Sequence, residues 1–286
     1  MSKRKQKKSR SGIGLLILLG LIVWTLWSNT APELTKYEIV SNRLPGEFDG
    51  FRILQLSDLH DAELGENNEK LIELAREAKP DIIVLTGDML DDGRLDIELT
   101  INTCRALCGV APVFFAGGNH ESALLPAEYR AFISDMKNAG VTVLENASIP
   151  LRRGSAEIQL IGLKDPGFYS GSARQRCDKV IESLSQLADS RVFTVALAHR
   201  SDLFDDYVST GAELVLSGHA HGGQVRLPFI GGLYTPSEGL FPTYDSGVFS
   251  RGNTTMVVSR GIGNSSFPIR FNNRPELVLI TLRSRP

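Results

Sequence analysis

Residues 52–60 read RILQLSDLH, an apolar run that ends on an aspartate and a histidine two residues apart. Positions 52–56 carry a strand signal, and the break at Ser57 throws the polar pair just past the strand end. The construction recurs downstream. An apolar run at 82–86 leads into Gly87-Asp88, one at 113–116 into Gly118-Asn119-His120-Glu121, one at 193–198 into His199, and one at 213–217 into Gly218-His219-Ala220-His221. Three more runs, 158–163, 255–259 and 277–282, have strand character without such an ending. Between them, 67–78 places Leu71, Leu74, Ala75 and Ala78 on one helical stripe, and 97–107, 126–139 and 174–188 repeat that spacing. This alternation predicts an α/β fold class. Ligand sites in open α/β sheets gather at the carboxyl ends of strands, so these scattered aspartates and histidines are predicted to meet in one cleft. The Gly- and Pro-rich stretch 222–251 has little periodicity and reads as a long loop region, which in compact domains often serves function.

With 286 residues, 42% of them hydrophobic, the chain has material for one large domain with a substantial core. Three cysteines cannot build a disulfide scaffold, and Cys104 and Cys108 have no second pair with which to complete a zinc site. The net charge of −2 conceals an asymmetry, because six cations and no acid lie in the first 32 residues, leaving 25 basic against 33 acidic residues beyond. A body so acidic is a poor nucleic-acid binder, and no nucleic-acid partner is expected. The uncharged stretch 11–32 is long enough, at about 1.5 Å per residue, to span the roughly 30 Å hydrocarbon core of a membrane. Trp24 and Trp27 sit near its outer end, where indoles favour the lipid interface. The expected organisation is a basic cytoplasmic tail at 1–10, a single-pass anchor at 11–32 and an extracytoplasmic domain at 33–286. A cleaved signal peptide and an interfacial helix are the other readings of the same stretch, although Asn29-Thr30-Ala31 makes a poor cleavage site.

Imidazole and carboxylate together suit divalent transition metals, and the amide of Asn119 adds a neutral oxygen. Asp58, His60, Asp88, Asn119, His199, His219 and His221 are too many for one tetrahedral ion but fit two that share a carboxylate. Such a pair generates hydroxide from water near neutral pH and clamps the oxygens of an in-line phosphoryl displacement. Phosphoester hydrolysis is the chemistry these residues point to. The chain has no P-loop, no GxSxG elbow and no HExxH helix.

The series Asp58-Leu59-His60, Gly87-Asp88, Gly118-Asn119-His120-Glu121, His199 and Gly218-His219-Ala220-His221 resembles the motif order of the calcineurin-like metallophosphoesterases. The segments 221–234 and 259–276 look like a membrane-associated bacterial branch that includes lipid-nucleotide (UDP-diacylglucosamine) pyrophosphohydrolase-like enzymes. The resemblance implies a two-layered mixed β-sheet sandwich flanked by helices. It also implies two divalent ions, drawn from Mn, Fe, Zn or Co. Asp58, His60 and His221 would hold one, Asn119, His199 and His219 the other, with Asp88 bridging. His120 would be the catalytic residue that binds no metal and protonates the leaving oxygen, and Glu121 would orient it from behind. Departures from the common pattern fall at Asp61-Ala62 and at Arg200, and they bear on substrate contacts more than on metal binding. The implied substrate is a phosphomonoester or diester at the membrane, or a lipid-linked diphosphate. A lipid nucleotide on the cytoplasmic face conflicts with the charge-derived topology, and a non-catalytic, metal-stabilised binding module is the rival from another class.

Simpler readings exist for single residues. Asp58 and Asp88 could each cap a helix after a strand, and Glu121 could simply favour a helix start. Gly261-Ile262-Gly263 is a fragment of a dinucleotide fingerprint and reads better as a turn. Arg260, Arg270 and Arg274 are candidates to hold a phosphate, against the more frequent use of arginine at surfaces.

Overall fold

The computed structural model describes residues 2–285 except positions 92, 94, 236, 265 and 266, with side chains from residue 13 onward. The side chains of the basic tail, and Ser265 and Ser266 of the segment 259–276, therefore lie outside the described residues. Among the described residues, two sheets are built from β1 Glu33–Ser41, β2 Arg52–Leu56, β3 Ile82–Leu85, β4 Val113–Phe115, β5 Thr142–Val143, β6 Ala147–Arg153, β7 Ala156–Gly162, β8 Thr194–Arg200, β9 Leu214–Gly218, β10 Gly247–Arg251, β11 Thr254–Val258 and β12 Glu276–Ser284. The first sheet has the order β1-β12-β2-β3-β4-β5 and the second β10-β11-β9-β8-β7-β6. Both are mixed. The strands from β2 to β5 are parallel, as are β11, β9, β8 and β7, while β12 against β2, β10 against β11 and β6 against β7 are antiparallel.

Apolar side chains on successive residues point to opposite faces of a strand, and here both faces are covered. Ile53, Val84, Phe114, Val195, Leu214 and Ile280 fill the space between the sheets. Leu54, Leu56, Ile83 and Leu85 face the other way, onto Leu71 and Ala75 of α2 Glu69–Ala78, Cys104 and Leu107 of α3 Ile97–Cys108, and Phe132 and Met136 of α5 Pro126–Asn138. Ala196, Ala198 and Val215 pack on Val180 and Leu184 of α6 Ala173–Leu187. Gln55 interrupts this apolar pattern. Fully buried, it donates its amide to Thr86 Oγ1 at 3.0 Å and to the Ser217 carbonyl at 2.8 Å, and so ties β2 and β3 to β9 across the sandwich.

The expected strands and long helices are present, with ends shifted by one or two residues. Other features differ from expectation, among them β5 and β6, which no expected strand covered. β1 pairs in parallel along all of β12, a partner that lies over two hundred residues away and that local pattern cannot reveal. The loop region 222–251 contains two short hairpins, Arg226–Leu227 with Gly231–Gly232 and Tyr234–Thr235 with Gly239–Leu240, and its end forms β10. The apolar N-terminal segment belongs to one helix, α1 Ser2–Thr30, which starts inside the basic tail. Its stretch Ile13–Thr30 is long and apolar enough to cross a membrane, as a span or as a signal sequence.

Candidate metal centre

The loops that follow β2, β3, β4 and β9, with the end of β8, carry the sequence-predicted ligands to one place. Asp58, His60, Asp88, His199, His219 and His221 are all buried, the most accessible of them at 6%. They form two adjoining groups, Asp58, His60 and His221 in one and Asp88, His199 and His219 in the other, with one potential ligand atom per residue and all atoms of a group within 4.8 Å. A third, overlapping group joins His60, Asp88 and His120. Asp88 lies between them, its Oδ2 at 3.2 Å from His199 Nε2 and 3.8 Å from His60 Nε2. Asn119 Oδ1 is 3.1 Å from His199 Nε2, which adds the amide to the second group.

Backbone conformation aims these side chains. Asp58, His60, Asp88, His219 and His221 all adopt left-handed φ, between 46° and 67°, at a cost of about 1–2 kcal/mol each for a residue with a Cβ. Strain of this size persists because the surroundings over-determine it. Ile262 and Gly263 donate to the carbonyl of Asp58, the Asp58 N–H donates to Gly87, and Gly118 passes so close to Asp88 that a Cβ there would stand 2.3 Å from Oδ1.

Glu121 supplies the largest single share of this order. Its buried carboxylate accepts from the main-chain N–H groups of Asp88, Met89, Leu90 and Gly118 at 2.7–3.1 Å. The expectation that Glu121 orients the His120 ring is thereby revised, since its oxygens are spent on the loop that carries Asp88. Asn119 and His120 open a short helix, α4 Asn119–Ala123, and the His120 N–H donates to Asp88 Oδ1 at 2.8 Å. The His120 ring stands edge-on to His60, 4.5 Å between centroids, and remains part-exposed at the rim.

Burial lowers the pKa of His60 to about 4 and that of His219 and His221 well below the usual imidazole value, so all three are neutral and offer lone pairs at pH 7. Burial also disfavours the charged form of His199, but the Asp88 carboxylate outweighs it and lifts that pKa to about 10. Against burial, the same pairing holds Asp88 well below the usual carboxylate range. Burial raises Asp58 to about 6. Once His199 gives up a proton, the Thr86 carbonyl 2.8 Å from Nδ1 keeps the remaining one there and leaves Nε2 facing Asp88 and Asn119. His60 and His221 bring their Nε2 atoms to 3.1 Å, a spacing at which two imidazoles share a proton or a cation. These neutral imidazoles and carboxylates fit divalent transition metals.

The candidate phosphate-holding arginines are placed otherwise. Arg260 is bound to Glu33 and Glu276, and Arg274 to Glu33 and the carbonyls of Ala31 and Pro32. Arg270 is fully buried against the carbonyls of Arg260 and Gly263, with Nη2 3.3 Å from His221 Nδ1. On the other side of the site lies Arg200, held by Asp165 at 2.8 Å, with Nη1 2.9 Å from His219 Nε2. Its position directly after His199 was the available sequence signal. Asp61, the other departure from the common motif, accepts from Thr100 and from the Asp91 N–H at 2.9 Å and so steadies the loop after Asp88.

A sequence model described as calcineurin-like phosphoesterase matches residues 51–223, more than half of the chain and every candidate ligand residue just described. This chain belongs to that family. It is a metallophosphoesterase, a hydrolase of phosphoester bonds, and the divalent metals its family uses find clustered His and Asp side chains here. An uncharacterized metallophosphoesterase of Bacillus subtilis (strain 168), YkuE, is 34% identical over 88% of this chain and 86% of its own length. The phosphodiesterase YaeI of Escherichia coli (strain K12) is 29% identical over 86% of this chain and 88% of that one. Among solved structures, a dimetal phosphatase from Danio rerio aligns with a TM-score of 0.46 at 10% identity, covering 82% of this chain and 99% of the other.

Proposed function

We propose that this metallophosphoesterase hydrolyses a phosphodiester or monoester at a membrane surface, using two divalent cations bridged by Asp88. One observation carries the reading: two ligand groups adjoin around a single buried carboxylate, with Asn119 completing the second. When bound, such a pair of cations supplies Lewis acidity toward the phosphoryl group and acidifies water near neutral pH. Asp58, His60 and His221 would hold one position and Asn119, His199 and His219 the other. His120, at the rim and within 4.0 Å of Asp88 Oδ2, delivers a proton to the departing oxygen. Arg200, fixed by Asp165, brings a permanent positive charge to the second position, where an anionic substrate benefits from it.

The proposed organisation is a cytoplasmic tail at 1–10, an anchor at 11–32 and a phosphoesterase domain at 33–286 outside the membrane. Six cations before an uncharged stretch favour that orientation. Retention of the anchor is supported by contacts around Asn29-Thr30-Ala31, where a signal peptide would be cut: Asn29 exchanges two hydrogen bonds with the main chain of Arg270, and Ala31 accepts from Arg274. With this topology the substrate is an envelope phosphoester. A lipid-linked nucleotide diphosphate becomes the better candidate if the domain faces the cytoplasm.

The test is turnover of an aryl phosphodiester and an aryl phosphomonoester by the full chain in detergent, stripped by chelator and reloaded with Mn, Fe, Zn or Co. Activity that returns at two metals per chain is expected. Metal uptake without turnover of either ester would favour the non-catalytic binding module.

A further inference from the structure

We propose that the described residues of the loops 224–241 and 267–271 form an apolar strip that docks into the lipid–water interface beside the anchor. The inference rests on the anchored reading of α1. The end of α1 is fastened to the second loop, because Asn29 pairs with the Arg270 main chain and the Arg274 guanidinium lies 4.9 Å over the Trp27 ring. The bilayer surface must therefore lie against this edge of the domain. From that point an exposed apolar path leads away: Leu26 and Asn29 share a cavity of about 320 Å³ with Pro268 and Ile269, while the neighbouring Phe267 shares another, of about 410 Å³, with Leu233 and Tyr234. The two loops are joined by main-chain bonds, Arg226 N–H to the Phe271 carbonyl and Phe271 N–H to the Gln224 carbonyl. Phe241 continues the path by donating its N–H to Leu233.

Phe229 at a hairpin tip is fully exposed, and Ile230, Leu240 and Phe241 are each at least 60% exposed. A contiguous patch of aromatic and aliphatic side chains in water is costly, and soluble domains rarely keep one without a partner. The charge pattern selects lipid as that partner. Between Arg226, which is paired with Asp245, and Tyr244 the sole ionisable side chain of acidic or basic type is Glu238, and its carboxylate is turned back onto the N–H groups of Thr243 and Tyr244. Large side chains with few charges, next to the end of an apolar helix, are the composition of the membrane interface. The strip begins at Gln224, three residues from His221, so docking sets the His60 and His221 side of the metal centre close to the lipid headgroups.

The experiment places the full chain in phosphatidylcholine vesicles whose acyl chains are brominated and reads tryptophan fluorescence. Trp24 and Trp27 of the unaltered chain report the anchor, and their quenching is the control for that reading. Phe229→Trp and Phe241→Trp report the strip; both positions are exposed, so folding is not at stake. Val40→Trp, at the opposite end of the first sheet, reports the water-facing side. With the background of Trp24 and Trp27 subtracted, the added indole at 229 or 241 should be quenched at least twofold more than that at 40. Quenched native tryptophans with both strip indoles as bright as the one at 40 would overturn the docking while leaving the anchor intact. Native tryptophans that escape quenching would refute the anchor and the docking together.

Discussion

Replacing Asp88 by asparagine removes one negative charge at the point where the two candidate ligand groups meet. The amide keeps the volume of the side chain and can still accept from the His120 N–H through Oδ1, now 2.8 Å away, so the loop held by Glu121 should stay in place. What disappears is a full negative charge 3.2 Å from His199 Nε2 and 3.8 Å from His60 Nε2. At an effective dielectric constant of about 20, a unit cation at the shorter distance loses about 5 kcal/mol of attraction, and an amide dipole restores only part of it. We expect kcat/KM for an aryl diester to fall at least a thousandfold, equivalent to about 4 kcal/mol of barrier. Metal per chain should drop below two on dialysis. Elemental analysis and steady-state kinetics on the same preparation, with circular dichroism to verify the fold, provide the measurement. An Asp88→Asn variant that holds two metals and turns over near the unaltered rate would refute the bridging role and the arrangement built on it.

Four further outcomes are expected. His120→Asn should retain its metal yet lose roughly 10²–10⁴ in turnover, with a smaller loss for nitrophenyl esters whose leaving group needs no proton; equal losses for good and poor leaving groups would remove the general-acid role. Because Asp88 raises the His199 pKa to about 10, that imidazole is protonated at pH 7–9 before metal binds, and uptake into the second position must release about one proton. Calorimetric titration in buffers of different ionisation enthalpy measures it, and a buffer-independent heat would contradict the pairing. By the linkage sign, the metal-free pair stabilises the fold fully below the ordinary imidazole pKa of about 6.5 and loses that contribution as pH rises through about 10. Gly118→Ala sets a Cβ 2.3 Å from Asp88 Oδ1, in a loop with no slack, so it should cost metal affinity and at least tenfold in turnover; unaltered metal binding would show that the loop is softer than its contacts indicate.

The amino-acid sequence alone determined the strands that carry the site and the candidate ligand residues at their ends. This was possible because each signal is local: an apolar run of strand length, then a turn, then Asp, Asn or His within a few residues. The family motif order added the sandwich and the pairing of ligands, and the structure brings those seven side chains together. Other features were decided only in three dimensions. β1 exists through its pairing with β12, a contact between residues far apart in the chain, and Gln55 gains its meaning from Thr86, just past β3, and Ser217 on β9. Glu121 looked like a partner for the next-door His120, but folding brings the 88–90 loop closer to its carboxylate. Arg260, Arg270 and Arg274 looked alike in sequence, and tertiary contacts assign Arg260 to Glu33 and Glu276, Arg270 to carbonyls beside His221 and Arg274 to the end of α1, while Arg200 meets His219. A charged side chain is long and its best partner is whichever opposite charge or carbonyl the fold delivers, so chemistry of that kind cannot be read from spacing along the chain.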